Sequence, residues 1–370
     1  MRLVHISDTH LGFFAYSRSD PDSGINQREA DFYRVFVRAV DKIIDLNPDV
    51  VVHAGDLFDG VRPQNRAIEV ALRQLIRLSE SGIEVVLISG NHSTPKMRET
   101  GSIFRIFEHL DGVRPVHEPG ITEIVTGDLT LHAIPHSTSP SMKDVLSNLT
   151  LSRDTAHNVL LMHAGIEGSG RFRTDHINQQ MIAPGSIPAE LDYVALGHYH
   201  EFAQVREGVY YSGSTERLGF GEIGQKKGFV EVDLSRGSVD FHELDVRDMI
   251  DLRPVAAENL SGVEVFGEVR SRVEEASLDG AIARLEIKDV RPEVARSLDV
   301  AALKRLASGA LHLDLKIERI VEGDDHRVTD ATIGSLEREY SDFVESLDMT
   351  EARKRRLMEL GASYFAEDSG

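Results

Sequence analysis

The stretch Val50-Val51-Val52-His53-Ala54-Gly55-Asp56-Leu57-Phe58-Asp59 runs three β-branched apolar residues into a glycine turn that ends on carboxylates. An apolar run of this kind suits a strand buried on both faces. Gly55 permits a tight turn where the strand ends, and that turn delivers Asp56. Four other segments repeat the arrangement. Leu3–His10 ends on Asp8-Thr9-His10, and Val85–His92 ends on Gly90-Asn91-His92. Val159–His163 ends on its histidine, and Val194–His200 ends on Gly197-His198-Tyr199-His200. Five junctions of one type predict a metal site built at the ends of neighbouring strands.

Working outward, apolar residues Phe32, Phe36, Val37, Val40, Ile43 and Ile44 fall at helical spacing between Arg28 and Leu46, with Pro48 as the stop. A second helix is expected over 64–81, closed by Gly82. With strands at Leu3, Val50 and Val85, residues 1–92 alternate strand and helix, which predicts parallel strands with helices outside. A third helix is expected over Ser102–Leu110. Its apolar residues suit either ordinary core or a subunit interface. After residue 112 strand-like runs follow closely, at Ile121–Val125, Leu129–Ile134, Val205–Ser212 and Phe229–Leu234. They predict an antiparallel or mixed second sheet. Two packed sheets with helices outside are the expected architecture.

Beyond residue 250 the ligand-bearing junctions stop. Residues 263–320 read as helix, strand (Ala283–Ile287), helix (Val300–Leu306) and strand (Leu311–Ile320), a small α/β unit. An acidic linker, Glu322–His326, precedes two amphipathic helices. One carries Ile333, Leu336, Tyr340, Phe343 and Leu347. The other carries Leu357, Leu360, Tyr364 and Phe365, with Thr350 as its candidate N-cap.

The chain has 370 residues, 41% hydrophobic and 28% charged, a globular composition. At about 150 residues per domain, two or three domains are expected. There are no cysteines, so any metal must use His, Asp, Glu or Asn. A strand beginning at the first residues leaves no room for a secretory signal, and a cytoplasmic location is expected. The net charge of −20 argues against a protein that coats DNA non-specifically. It leaves room for a nuclease with a basic patch confined to one face.

Two neighbouring cations need an anionic ligand between them, and Asp56 is the candidate bridge. Asp8, His10, Asn91, His163, His198 and His200 complete two mixed nitrogen and oxygen shells. That mixture suits Mn²⁺, with Fe²⁺ or Zn²⁺ as alternatives, better than the all-oxygen shells of Mg²⁺ or Ca²⁺. Metals about 3.5–4 Å apart clamp a phosphodiester and activate water. His92 is left for acid–base or charge-stabilising work on the phosphate. Taken singly, Asp-x-His or Gly-Asn-His is more often a turn or cap than a ligand pair; the ordered set of five carries the reading. His5, His53, His109, His117, His132, His136, His157 and His176 read as structural or surface residues.

The motifs Asp8-Thr-His10-Leu-Gly12, Gly55-Asp56-Leu-Phe-Asp59, Gly90-Asn91-His92, Met162-His163-Ala-Gly165 and Gly197-His198-Tyr-His200 resemble, in order and kind, those of calcineurin-like metallophosphoesterases. Within that superfamily the chain looks most like the Mre-eleven/SbcD DNA-repair nucleases. Three features favour that branch: His-Leu-Gly in the first motif, the run Gly213–Glu222, and the appended α/β unit. The resemblance implies a four-layer αββα sandwich over residues 1–248, a small α/β capping domain over 249–322, and a linker with a C-terminal helical pair over 323–370. It implies two Mn²⁺ ions, one held by Asp8, His10, Asp56 and His200 and the other by Asp56, Asn91, His163 and His198. It matches His92 to the histidine that acts on the scissile phosphate. Asp59, where some members carry histidine, and Ser93, where an acidic residue is common, depart from the pattern.

The function this implies is a Mn²⁺-dependent DNA exo/endonuclease that processes double-strand break ends with a Rad-fifty/SbcC-type ATPase, as a homodimer formed through helices near 64–110. The basic run Arg353–Arg356 and the helical pair are the candidate ATPase contact, with docking on the protein's own domain as the alternative. Arg18, Arg62, Arg66, Arg171, Arg173 and Lys226 are candidate DNA contacts, though each alone reads more readily as an ordinary solvated charge. The alternatives are a phosphoesterase on the same core acting on small phosphodiesters or nucleotides, and a silent scaffold that binds a partner. The complete ligand set speaks against the scaffold.

Overall fold

A computed structural model describes residues 1–95, 101–137, 139–168, 180–320, 344 and 353–358. The chain divides into two compact units, Met1–Arg319 and Ile320–Gly370. Of the expected C-terminal helical pair, helical residues are described at 344 and 353–358 only. The rest of that pair, its linker and Thr350 lie outside the described residues.

In the first unit the strands are, in chain order, β1 (Arg2–Ile6), β2 (Val50–His53), β3 (Glu84–Ile88), β4 (Val113–Val116), β5 (Thr122–Thr126), β6 (Leu129–Ile134), β7 (His157–His163), β8 (Gly165–Ile166) and β9 (Met181–Ile182). They continue with β10 (Tyr193–Gly197), β11 (Ala203–Arg206), β12 (Val209–Tyr211), β13 (Gly228–Asp233), β14 (Ser238–Glu243), β15 (Met249–Asp251), β16 (Val255–Ala256), β17 (Ile282–Val290) and β18 (His312–Arg319). The helices are α1 (Gln27–Leu46), α2 (Asn65–Glu80), α3 (Met142–Leu146), α4 (Gly262–Glu275), α5 (Pro292–Ser297) and α6 (Val300–Leu306).

Two six-stranded sheets form the core, ordered β14-β13-β1-β2-β3-β4 and β11-β12-β10-β7-β6-β5. Strand alternation assigns the core side chains of these two sheets to three layers. Leu3, Val50, Val52, Val86 and Ile88 face Leu131, Val159, Leu161 and Ala195 of the other sheet. Val4, Ile6, Val51, Val85 and Leu87 point the opposite way, onto Phe36, Val40 and Ile43 of α1 and Leu75 and Leu78 of α2. Leu160, Met162, Val194 and Leu196 meet α3 and the segment around Ile182 and Ile187 on the far side. Each central strand is therefore apolar on both faces, the physical reason its sequence reads as an unbroken run. The fold is an α/β sandwich with the layers helix, sheet, sheet and a thinner outer layer built on α3.

Local signals explain the helix ends. Asn26 accepts from the backbone N–H groups of Arg28 and Glu29 and caps α1, which closes on Asn47 in the left-handed region. The second sheet is mixed: β6, β7, β10 and β12 are parallel neighbours, and β5 and β11 are antiparallel edges. The run Phe229–Leu234, expected in that sheet, is instead β13 of the first sheet, antiparallel to β1.

Two further expectations are corrected. The single run Val205–Ser212 is a hairpin, β11 and β12, turning at Gly208 with φ +74°. Glycine supplies that conformation without the Cβ clash that alternation alone cannot reveal. The expected helix over Ser102–Leu110 is a 3₁₀ helix, Ile103–His109, whose Phe104 and Phe107 are buried in the α1–α2 layer. In a 3₁₀ helix residues three apart eclipse, which puts both rings on one side.

After β14 the chain builds a separate four-stranded sheet, β15, β16 and β18 all parallel to β17. Val265, Val269, Leu285, Ile287 and Leu303 form its own core with α4 and α6. The edge strands β15 and β16 and the short α5 have no counterpart in the sequence expectation, being too short to show a period. This layer docks on the sandwich through Met249, Ile282 and Leu311, packed with Tyr16, Phe220 and Ile223. Tyr16 stacks on His312 at 4.1 Å between ring centroids.

Candidate metal centre

Strand register places the five junctions at one edge. Leu3 pairs with Val50 and Ile6 with His53, while His53 pairs with Leu87. The chain segments beyond β1 and β2 stay side by side: the N–H groups of Asp8, His10 and Leu11 donate to the carbonyls of Gly55, Asp56 and Leu57 at 3.0, 3.0 and 2.9 Å. In the facing sheet Gly197 pairs with His163. The ends of β1, β2, β3, β7 and β10 therefore converge.

Asp8 and His10 stand two residues apart, a spacing at which extended backbone would aim both side chains the same way. They do converge, together with His200, but by another route. Asp8 and His10 have φ of 50° and 42°, and Asp56 and His198 have 51° and 105°. Left-handed backbone at a non-glycine residue costs about 1–3 kcal/mol and persists where the surroundings enforce it. Here four such residues stand at one cluster.

Three strand-end glycines make room for it. A Cβ at Gly90 would lie 2.2 Å from Asp56 Oδ1, and one at Gly55 would lie 2.3 Å from His163 Nδ1. One at Gly197 would lie 2.0 Å from the Ala54 carbonyl oxygen. Backbone and side chains approach so closely at these points that only glycine fits.

The side chains form two linked groups. In the first, ligand-type atoms of Asp8, His10 and His200 lie within 4.8 Å of one another, and His10 Nε2 faces His200 Nε2 at 3.2 Å. In the second, His163 Nε2 stands 2.9 Å from Asn91 Oδ1 and 3.2 Å from Asp56 Oδ2. His198 Nδ1 lies 3.1 Å from the same Asn91 oxygen. Asp8, Asp56 and His163 form a further set within 4.8 Å, joining the two groups. All seven residues expected as ligands are thus brought together.

The supports are specific. His198 N–H donates to both Asp8 oxygens at 3.1 Å, and Ser7 Oγ–H donates to Asp8 Oδ2. His163 Nδ1–H donates to the Ala54 carbonyl at 2.7 Å, which turns Nε2 toward the carboxylates. His92 N–H donates to Asp56 Oδ1 at 2.9 Å.

Electrostatics follow from burial and proximity. Burial opposes ionising Asp56, yet His163, with His10 and His92 beyond it, outweighs that and holds the carboxyl far below its usual range. Burial likewise opposes a charged His163, but Asp56, then Asp8 and the Ala54 carbonyl, raise it to about 9. The pocket is built to hold positive charge against Asp56. Facing imidazole nitrogens, convergent carboxylates and an amide oxygen are a donor set for divalent cations, and the Asp/His clusters fit a dinuclear site.

His92 lies at the rim. It is exposed, its ring centroid is 4.9 Å from that of His10, and its Nδ1–H donates to the Asp59 carbonyl at 2.9 Å. His5 and His53 are buried and pushed down to about 3, chiefly by burial, so both stay neutral. Sequence reading missed three contributors. Asp59 Oδ1 reaches His10 Nδ1 at 3.2 Å. Glu222 Oε1 accepts from His200 Nδ1–H at 2.8 Å, and Lys227 lies 2.7 Å from the other Glu222 oxygen. Glu222 closes a motif already noted as a whole, but nothing in its spacing marks a partner for His200.

The basic residues are less uniform. Arg18 donates to the Ala310 carbonyl at 2.7 Å, tying the first loop to the appended layer. Arg66 lies 3.6 Å from Glu29, and Lys226 lies 2.9 Å from Glu243. Arg62 is exposed, and Arg171 and Arg173 lie outside the described residues.

A double sheet with an Asp/His cluster of this composition at its strand ends defines a metallophosphoesterase. Residues 1–202 match the family described as calcineurin-like phosphoesterase, more than half of the chain, and the protein belongs to that family. It is similar to proteins named DNA double-strand break repair protein Mre11. The one from Methanocaldococcus jannaschii is 29% identical over 286 residues, covering 74% of this chain and 73% of that one. The one from Haloferax volcanii is 28% identical over 382 aligned positions, covering 99% of this chain and 76% of that one. A third, from Sulfurisphaera tokodaii, is 32% identical over 208 residues, covering 54% of this chain and 49% of that one.

Proposed function

We propose that this chain is a Mn²⁺-dependent DNA exo/endonuclease that processes double-strand break ends. Asp8, His10, Asp56 and His200 would hold one ion, and Asp56, Asn91, His163 and His198 the other. The observation that carries the reading is the convergence of these seven side chains beside an exposed histidine outside their set. Similarity to Mre11 proteins supports DNA as the substrate. The bound ions would supply an activated water and neutralise charge on the phosphate. Asp56 and the ordered Asp8 carboxylate fix the ligand frame. His92, tethered through Nδ1–H to Asp59, offers Nε2 to the phosphate and moves a proton at that atom.

A capping domain over 249–322 would help place DNA, with Arg18, Arg62, Arg66, Arg171, Arg173 and Lys226 as its candidate phosphate contacts. Residues 323–370 dock a Rad-fifty/SbcC-type ATPase, with the chain acting as a homodimer in the cytoplasm. No helix among the described residues is long and apolar enough to cross a membrane.

The test offers Mn²⁺ with linear, hairpin and single-stranded DNA beside a small chromogenic phosphodiester. Cleavage of DNA ends in preference to the small ester is expected. Hydrolysis of the small ester with no cut in any DNA would overturn the substrate assignment and leave the phosphoesterase.

A further inference from the structure

We propose that Glu222 is a positioning residue for the metal centre, acting through His200, with Lys227 as the counter-charge that balances it. This rests on His200 being a ligand, as proposed above. A carboxylate only accepts, so the 2.8 Å contact between His200 Nδ1 and Glu222 Oε1 puts the ring proton on Nδ1. The lone pair is then on Nε2, the atom that faces His10. Fixing the tautomer of a metal-binding histidine from its far side orients the ring and raises its basicity.

Glu222 is itself clamped. Its Oε2 lies 2.7 Å from Lys227 Nζ and accepts from the Leu218 N–H at 3.1 Å. Lys227 has no exposed side-chain surface. Its ammonium also donates to the His200 carbonyl at 2.7 Å, to Ser214 Oγ at 2.9 Å and to Gln225 Oε1 at 3.0 Å. One buried cation therefore grips His200 twice, through its carbonyl and through the carboxylate that holds its ring. A buried lysine with this many partners is not a solvated charge. Its charge balances Glu222, so the ring partner is fixed without leaving net charge behind the ligand.

The balance and the tautomer are separable by substitution. Glu222→Gln keeps an acceptor for Nδ1–H but leaves Lys227 without a counter-charge. Glu222→Leu removes the acceptor. Lys227→Met, added to either, removes the stranded cation.

The experiment is calorimetric titration of the full chain and its variants with Mn²⁺, with folding checked by circular dichroism and thermal melting. Wild type should take up two ions. Glu222→Gln should weaken one by about 10–100-fold, the range for such outer partners, and leave the other unchanged. Glu222→Gln with Lys227→Met should recover most of the loss, whereas Glu222→Leu with Lys227→Met should not. Two ions bound at wild-type affinity by all the variants would overturn this inference alone. So would Glu222→Leu with Lys227→Met recovering as fully as the Gln pair. Wild type that binds no ion would overturn the metal reading and this inference with it. If the Leu variants fail to fold, Glu222→Gln with and without Lys227→Met decides: loss without recovery, or no loss, is a negative result.

Discussion

His163 Nε2 lies 3.2 Å from Asp56 Oδ2, although one residue ends β7 and the other follows β2, strands of different sheets. The contact crosses the sandwich at the one edge where both sheets end together, and it makes each group a charged one. It also sets how protons and cations compete for the site.

His163 is held near 9 by Asp56, so its proton must leave before Nε2 can bind a cation. Folding raises this pKa above its usual value, so the proton competes more strongly at neutral pH and gives way as pH rises. Apparent Mn²⁺ affinity should therefore climb by up to about tenfold per unit between pH 7 and 9 and flatten above that, a proton-linked metal equilibrium. Titrations across that range check it. A flat profile from 7 to 9 would contradict a proton on His163 competing with the cation.

Gly90→Ala should act as a metal-site mutation although it changes no ligand. The added Cβ falls 2.2 Å from Asp56 Oδ1, and Asp56 cannot retreat because its backbone pairs with His10. Overpacking of this kind costs about 1–3 kcal/mol, which lowers the melting temperature without abolishing the fold. Metal content should fall together with phosphodiesterase activity. An alanine variant with full metal content would mean the two segments separate easily.

His92→Ser should divide binding from chemistry. The histidine touches the cluster through its backbone N–H to Asp56, which serine retains, and through its exposed ring, edge-on to His10 at 4.9 Å between centroids. Both ions and DNA affinity should persist, and cleavage should fall by about 10²–10⁴-fold. Loss of metal in parallel with activity would make His92 a ligand.

Phe107→Ala should test the 3₁₀ segment as core. Phe107 is buried, lies 5.8 Å from Phe104 between centroids and stacks with Phe58 at 6.2 Å. Truncating a buried phenylalanine costs about 3–5 kcal/mol, read by chemical denaturation. A cost near zero would place that ring on a surface.

The convergence at the strand ends was legible because each central strand is buried on both faces. Val50-Val51-Val52 and Val85-Val86-Leu87 cannot be mistaken for amphipathic surface, so the polar residue after each run stands out. The left-handed turns at Asp8, Asp56 and His198 were not legible, since nothing in an aspartate or histidine announces positive φ. Glu222 and Lys227 escaped for a different reason. They reach His200 through a non-periodic loop, and such contacts leave no spacing to read. Arg18 shows the limit of charge as a signal: one of its guanidinium nitrogens donates to the Ala310 carbonyl, an internal contact that a basic residue near a motif does not reveal.

The central claim is a two-ion site bridged by Asp56, and metal stoichiometry tests it most directly. Wild type and Asp56→Asn, purified identically and loaded with Mn²⁺, would be compared by elemental analysis alongside circular dichroism. Two ions per wild-type chain are predicted, with loss of metal and of phosphodiesterase activity together in Asp56→Asn while the strands before it keep the fold. Two ions and full activity in Asp56→Asn, or no ion in the wild type, would contradict the claim.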